Sequence, residues 1–206
     1  MTDFDARAKD WDSDPKKVDR AQKVAQAIRA AVDIRPGMNA FEYGCGTGLL
    51  SFFLQNDFAS ITLADTSQGM LEVLSDKIKA AGTVHMHPVR LDLAVDPLPE
   101  QKFNVIYSLM VLHHIHDTDV ILQKFHEILK PDGWLVVADL DKEDGSFHTD
   151  GSTDIHLGFP RDDLKRRVEA AGFRDVHFST AFKIKKMIGE DQKIFPVFLM
   201  TARALH

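Results

Sequence analysis

The chain has one cysteine among 206 residues, and no apolar run approaches the ~18 residues that a membrane span requires. The single thiol, Cys45, excludes an internal disulfide and is typical of proteins that work in a reducing compartment. The first residues, Met1 to Asp5, are polar and acidic, unlike a signal peptide. We therefore expect a cytoplasmic protein without a membrane partner.

Basic charge is also scarce. The 25 lysines and arginines are outnumbered by 31 aspartates and glutamates, which gives a formal net charge of −6. Nucleic-acid binding needs a basic surface, because affinity comes largely from contacts with phosphates. The one dense basic run, Lys183 to Lys186, alternates like the solvent face of an edge strand. The charge balance argues against a nucleic-acid partner.

Apolar spacing predicts alternating strands and helices in one domain, with helices on both faces of a mostly parallel sheet. Helices are predicted over residues 16–32, 49–54, 67–80, 118–130 and 161–171, and strands over 38–43, 61–64, 83–91, 103–109, 134–140, 175–186 and 193–203. Pro88 suggests a bulge or a ragged end in the third strand. The last two strands, joined by a turn at Gly189, are expected to form an antiparallel hairpin.

Three glycines at alternate positions follow the first predicted strand: Gly44, Gly46 and Gly48. A strand, a glycine turn and a helix N-terminus together present backbone N–H groups to a ligand. Asp65 lies 21 residues beyond Gly44 (65 − 44), where nucleotide-type folds hold ribose hydroxyls. The spacing predicts an adenosine-containing cofactor. Dinucleotide-binding turns place their third glycine one residue later, and Leu49 occupies that position here.

The string Glu42-Tyr43-Gly44-Cys45-Gly46-Thr47-Gly48 resembles motif I of the class I S-adenosylmethionine-dependent methyltransferases. Four further segments resemble motifs of that family in the same order: Asp65 to Met70, Arg90 to Leu93, Phe103 to Ile115, and Leu129 to Val137. The resemblance implies a Rossmann-like seven-stranded sheet of order 3-2-1-4-5-7-6. We divide the single domain into an N-terminal lid and helix (1–35), a cofactor-binding core (36–140), and a substrate loop with a C-terminal hairpin (141–206).

The resemblance also implies a set of residues that bind S-adenosylmethionine. The glycines would approach its methionyl part, Glu42 would orient its ammonium group, and Asp65 would accept from both ribose hydroxyls. Met70 would flank the adenine and Asp92 would accept from its amine, although core packing and a solvated loop are the alternatives for these two. The full predicted set is Glu42, Gly44, Cys45, Gly46, Gly48, Asp65, Thr66, Met70, Leu91, Asp92, Leu93 and Ser108.

Three histidines, His113, His114 and His116, follow the fourth predicted strand, at the expected methyl-transfer end. Histidine is the usual general base near neutral pH, and we choose His114 first, with His113 and His156 behind it. A hydrogen-bonded turn is the alternative for this run. Its spacing lacks a cysteine or carboxylate set in helical register, so no metal site is predicted.

Two polar segments, Asp141 to Phe159 and Phe4 to Trp11, are expected to cover the acceptor, with His148, His156 and Phe159 as candidate contacts. The expected activity is methyl transfer to a small-molecule acceptor that the sequence does not identify, by a monomer or homodimer. A Rossmann-type NAD-dependent oxidoreductase is an alternative, opposed by the glycine spacing and by the lack of a Tyr-x-x-x-Lys pair. A non-catalytic S-adenosylmethionine-binding module is another.

Overall fold

The computed structural model describes residues 3–148 and 155–205. Its helices are α1 (Asp3–Arg7), α2 (Pro15–Ala31), α3 (Leu49–Leu54), α4 (Gln68–Ala81), α5 (Thr118–Ile128) and α6 (Arg161–Ala170), with 3-10 helices at Ala8–Ser13 and Leu112–His114. Its strands are β1 (Asn39–Tyr43), β2 (Ser60–Asp65), β3 (Met86–Arg90), β4 (Phe103–Leu109), β5 (Leu129–Leu140), β6 (Phe173–Ile188) and β7 (Asp191–Ala204). In this part of the chain no helix is long and apolar enough to cross a membrane.

All seven strands form one sheet in the order β3-β2-β1-β4-β5-β7-β6, which confirms the predicted topology. The first five strands are parallel, whereas β7 pairs antiparallel with both β5 and β6. The predicted hairpin is therefore correct, and it brings β6 with the basic run Lys183–Lys186 to the sheet edge. The carboxyl ends of β1, β2, β3, β4 and β5 all lie along the same edge of the sheet because these strands are parallel.

The core lies on both faces of the sheet, as a doubly wound fold requires. On one face α2, α3 and α4 pack against the strands through residues such as Ile28, Leu54 and Leu74. On the other face α5 and α6 do so through residues such as Phe125 and Val168. The central strands are consequently buried on both sides, which explains the apolar stretch Val105–Tyr107 in the middle of β4.

Helix ends follow the local chemistry of the sequence. The Ser67 hydroxyl accepts from the backbone N–H of Met70 at 3.2 Å and begins α4, and Gly82 ends it in a left-handed conformation. Asp117 caps α5 in the same way through the N–H of Val120 at 3.1 Å. These caps agree with the predicted helix boundaries to within a residue or two.

Two local features differ from what the sequence predicts. Helix α5 ends at Ile128 rather than Lys130, because the buried Leu129 pairs with Phe103 and already begins β5. The four residues after Leu129 form an irregularity inside that strand, which therefore begins before the predicted residue 134. In β3, Pro88 causes no register shift, because β3 is an edge strand whose free side does not need the missing N–H.

Candidate active site

The glycine loop after β1 is held against the end of β2. The N–H groups of Gly44 and Cys45 both donate to the carbonyl of Ala64, at 2.8 and 3.0 Å. Gly44, Gly46 and Gly48 have φ of 69°, 54° and 77°, which disfavours any other residue. A Cβ on Gly46 would meet nothing closer than the Met70 sulfur at 3.9 Å. The space beside Gly46 therefore remains open to a ligand.

Asp65, at the end of β2, connects this loop to the start of α4. Its Oδ2 accepts from the N–H of Gly46 at 2.7 Å, and its Oδ1 accepts from the N–H of Ser67 at 2.9 Å. Burial raises the pKa of Asp65 above its ordinary value, and the N–H donors partly offset that effect. A carboxylate has more acceptor positions than these two bonds use, so ribose hydroxyls have room to donate.

Glu42, in β1, is buried beneath the glycine loop, with 2% of its surface exposed. Its Oε2 accepts from the hydroxyl of Ser51, which also lies 2.6 Å from the hydroxyl of Tyr107. Burial raises the pKa of Glu42 from 4.5 to about 8. At neutral pH the carboxyl is therefore mostly protonated, and a ligand ammonium nearby would favour its ionised form.

The other predicted cofactor residues differ in exposure. Met70 is 1% exposed beneath the glycine loop, so core packing accounts for much of its environment. Burial raises the pKa of the Cys45 thiol well above its ordinary value, which makes it unreactive. Asp92 is half-buried, and its Oδ1 accepts from the N–H of Ala94 at 2.9 Å. The rest of the predicted set comprises the exposed Thr66, the half-buried Leu91, and the buried Leu93 and Ser108.

The structure brings together three imidazoles at the ends of β4 and β5: His113, His114 and His148, called the histidine cluster below. The ring centroids of His113 and His114 are 4.1 Å apart, and that of His148 lies 5.2 and 5.4 Å from them. His113 is buried and its Nδ1 lies 2.6 Å from Oδ1 of the buried Asp139. His114 is exposed.

His156 lies beside this cluster and is engaged with backbone. The backbone N–H of His156 donates to the carbonyl of His113 at 2.8 Å, and the ring Nε2 lies 2.9 Å from the carbonyl of Ile115. A carbonyl only accepts, so Nε2 carries a proton in this arrangement. The geometry favours His156 as a residue that positions the turn after β4, rather than as a base.

The N-terminal residues 3–13, called the N-terminal cover below, pack against the glycine loop and α4. Asp5 accepts from the hydroxyl of Ser67 at 2.6 Å and from the N–H of Gly69 at 3.0 Å. Asp12 accepts from Thr47 and Lys77, both at 2.5 Å. The cover is thus attached both to the glycine loop and to α4.

The cover also reaches the histidine cluster, because the ring of Phe4 contacts that of His114 with centroids 5.7 Å apart. Trp11 packs against Phe4 and lies beneath the ammonium of Lys17, 3.4 Å from its ring centroid. After β5, the backbone N–H groups of Lys142 and Glu143 donate to the carbonyls of Phe159 and Leu157. The central part of the predicted loop, residues 149–154, lies outside the described residues.

Four residues hold this site together without being among the predicted cofactor-binding or catalytic residues: Asp5, Asp12, Lys77 and Asp139. Of these, Asp139 is expected at this crevice from the sequence, since it lies near the end of an apolar strand on the same sheet edge as Asp65. The contacts of Asp5, Asp12 and Lys77 span 64, 35 and 65 positions, which no local pattern encodes.

Comparison with known proteins assigns the chain to a family. Residues 17–178 match the family model of the methyltransferase domain, which is well over half of the chain. The chain belongs to the methyltransferase domain family. One relative is an uncharacterized methyltransferase of Schizosaccharomyces pombe, which is 31% identical to this chain over 121 residues. The alignment covers 55% of this chain and 43% of that protein. The matched region thus spans less than half of that curated methyltransferase.

Solved structures share the fold of this chain. One is a methyltransferase in complex with the Trm112 methyltransferase activator of Haloferax volcanii, with a TM-score of 0.80 and 18% identity. The alignment covers 100% of this chain and 99% of that one. Phosphoethanolamine N-methyltransferase 2 of Haemonchus contortus, solved with S-adenosylhomocysteine, has a TM-score of 0.73 at 13% identity, covering 90% of this chain and 52% of that one. The fold is that of the class I S-adenosylmethionine-dependent methyltransferases.

Proposed function

We propose that this methyltransferase binds S-adenosylmethionine at the carboxyl edge of the sheet and transfers its methyl group to a small molecule bound over the histidine cluster. The glycine loop receives the methionyl part and Asp65 the ribose. The loop after β3, with Asp92, receives the adenine. Neighbours of the same fold that hold this cofactor or its product support the choice of ligand.

The observation that carries the proposal is the direct contact between the glycine loop and the turn that bears the histidines. A Cβ on Gly44 would lie 2.4 Å from a methyl group of Val111, two residues before His113. Only a glycine allows this approach. This approach supports the proposed position of the methionyl group next to the histidine cluster, where an acceptor has to be.

The reaction needs alignment more than covalent help from the protein, because the sulfonium is already activated. Holding acceptor, methyl carbon and sulfur in line can contribute on the order of 7–11 kcal/mol. A protic oxygen, nitrogen or sulfur acceptor also has to lose a proton, and we place this deprotonation at the histidine cluster. Within the cluster His114 remains our first choice for contact with the acceptor, because it is exposed.

Two segments border the cluster. The N-terminal cover touches His114 through Phe4, and the backbone N–H of His156 donates to the carbonyl of His113, which supports a small acceptor. A net charge of −6 supports an acceptor other than a nucleic acid. We further propose that the enzyme works in the cytoplasm as a monomer or homodimer, away from membranes.

Calorimetry with S-adenosylhomocysteine tests the cofactor site. We expect a dissociation constant in the micromolar range, roughly −8 kcal/mol. Asp65→Ala removes charge-assisted hydrogen bonds of roughly 1.5–3 kcal/mol each and should weaken binding at least tenfold. Asp76→Ala, an exposed aspartate on α4, is the matched control and should bind normally. Absence of heat at millimolar ligand, or equal binding of NADH, would contradict the proposal.

An acceptor screen tests catalysis. Incubation with S-adenosylmethionine and a library of small hydroxyl, thiol and amine compounds should yield S-adenosylhomocysteine with some of them. Binding without turnover across the library would favour the non-catalytic module instead.

A further inference from the structure

The histidine cluster has the composition of a metal site. One ligand nitrogen from each of His113, His114 and His148 lies within 4.8 Å of the other two. Three neutral imidazoles are a common ligand set for zinc and related divalent ions, and such sites keep a fourth position open for water or substrate. The three residues come from two segments, 113–114 and 148, that only the fold brings together.

His113 has the hydrogen bonding of a metal ligand. Its Nδ1 lies 2.6 Å from a carboxylate oxygen of Asp139, and its backbone N–H donates to the other oxygen of the same carboxylate. A carboxylate accepts, so Nδ1 carries the proton and Nε2 is left with a lone pair. Metal-bound histidines nearly always donate their second ring nitrogen in this way, which fixes the tautomer and the ring orientation.

That lone pair is otherwise unexplained. The Nε2 of His113 is buried and has no hydrogen-bond partner among the described residues. Leaving a buried polar atom without a partner costs about 1–3 kcal/mol, so buried polar atoms are nearly always satisfied. A cation between the three rings would satisfy it. Asp139, which holds the opposite side of the ring, is itself fully buried.

The distances are compatible with a site that tightens when it is filled. With zinc–nitrogen bonds of about 2.0–2.1 Å, tetrahedral ligand nitrogens lie about 3.3 Å apart. The present separations of up to 4.8 Å require the rings to close by about 1.5 Å. His114 is exposed and His148 half-buried, so both can adjust around the fixed His113. The aromatic rings of Phe4 and Phe147, which contact His114 and His148, border the site.

We propose that His113, His114 and His148 bind one divalent ion of the zinc type, with Asp139 orienting His113. The spacing of the histidines near β4 predicted no metal, but that reasoning could not include His148. The ion has one position open toward the acceptor site. Given the proposed function, on which this step rests, that position takes an acceptor with a thiol or hydroxyl group.

Coordination would supply the deprotonation that the reaction needs. The sulfur–hydrogen or oxygen–hydrogen bond of the acceptor breaks on coordination and its proton passes to solvent, because a divalent ion lowers the pKa of its ligands. An electron pair of the coordinated atom then forms the new bond to the methyl carbon. The bond from carbon to the sulfonium breaks, and its electron pair stays on sulfur as a neutral thioether.

Zinc binding by the metal-free full chain, without an affinity tag, tests the proposal. We expect one zinc per chain by equilibrium dialysis and elemental analysis. His148→Ala and His114→Ala should each lower the affinity at least 100-fold, and Asp139→Asn should lower it 10- to 100-fold. His116→Ala, an exposed histidine of the same turn, is the matched control and should bind zinc as the wild type does.

Thermal unfolding of each variant shows whether it is folded. If His148→Ala does not fold, His114→Ala provides the test, because it removes only an exposed ring. Zinc below one equivalent, or an affinity unchanged in the folded variants, would overturn the metal site. Substitution by Co2+ probes the open position: adding 2-mercaptoethanol should change its visible spectrum, and an unchanged spectrum would overturn the acceptor class. S-adenosylhomocysteine binding to metal-free protein tests the proposed function separately.

Discussion

Replacing Glu42 by glutamine should stabilise the protein, and increasingly so as the pH rises. Glu42 is buried beneath the glycine loop, and burial raises its pKa from 4.5 to about 8. Glutamine has nearly the same shape and cannot ionise. It also keeps a carbonyl oxygen that can accept from Ser51 as the carboxyl does.

The sign and size follow from proton linkage. Between pH 4.5 and about 8 the folded state holds a proton on Glu42 that the unfolded state has lost, so the wild-type free energy of unfolding falls as the pH rises. At about 1.4 kcal/mol for each pH unit, the loss approaches on the order of 5 kcal/mol by pH 8. Glu42→Gln avoids it, which corresponds to a gain on the order of 10 °C in melting temperature.

Urea unfolding of wild type and Glu42→Gln at pH 5, 6, 7 and 8 measures this difference. We expect the two curves to nearly coincide at pH 5 and to separate steadily toward pH 8. Glu72→Gln, which changes an exposed glutamate of α4, controls for the chemistry of the substitution and should follow the wild type. A constant difference between Glu42→Gln and wild type, or a variant less stable at pH 8, would refute the reasoning.

Three further predictions concern the loop and its cover. Gly37→Ala should lower the free energy of unfolding by about 1–2 kcal/mol, because its φ is positive and nothing else is near. Gly48→Ala should lower it by about 1–3 kcal/mol more, because its Cβ would lie 2.5 Å from the side chain of Leu74. Equal unfolding free energies of the two variants would contradict this. Lys77→Met should speed amide exchange in residues 3–13 with little change in melting temperature, whereas unchanged exchange would mean that the cover is held elsewhere. Cys45 should react with a thiol reagent only on unfolding, because it is buried and the pKa of its thiol is raised; reaction in the native state would refute its inert role.

The fold could be predicted because its determinants are local and periodic. The alternation of apolar strands with amphipathic helices requires a doubly wound sheet, and the caps at Ser67 and Gly82 mark α4 on both sides. The glycine loop and Asp65 could be predicted for the same reason. Alternating glycines, which allow the positive φ of this loop, and an acidic residue at the end of a strand can both be recognised in short segments of sequence.

The histidine cluster, the contacts of the N-terminal cover and the start of β5 depend on contacts between residues that are distant in the sequence. His148 comes close to His113 and His114 only because the chain after β5 folds back beside the turn that follows β4. The hydrogen bond from the N–H of Gly69 to Asp5 likewise links residues 64 positions apart. The start of β5 was misplaced because Leu129 satisfies both the spacing of a helix and the pairing of a strand. Pairing with Phe103 decided the outcome, and no local signal reports it.

The crystal structure of the protein with S-adenosylhomocysteine tests the central claim most directly. The account predicts that the ribose hydroxyls donate to Asp65 and that the homocysteine sulfur lies beside Gly44, with the vacant methyl position facing His114. A ribose without contact to Asp65, or a sulfur directed away from the histidine cluster, would contradict it.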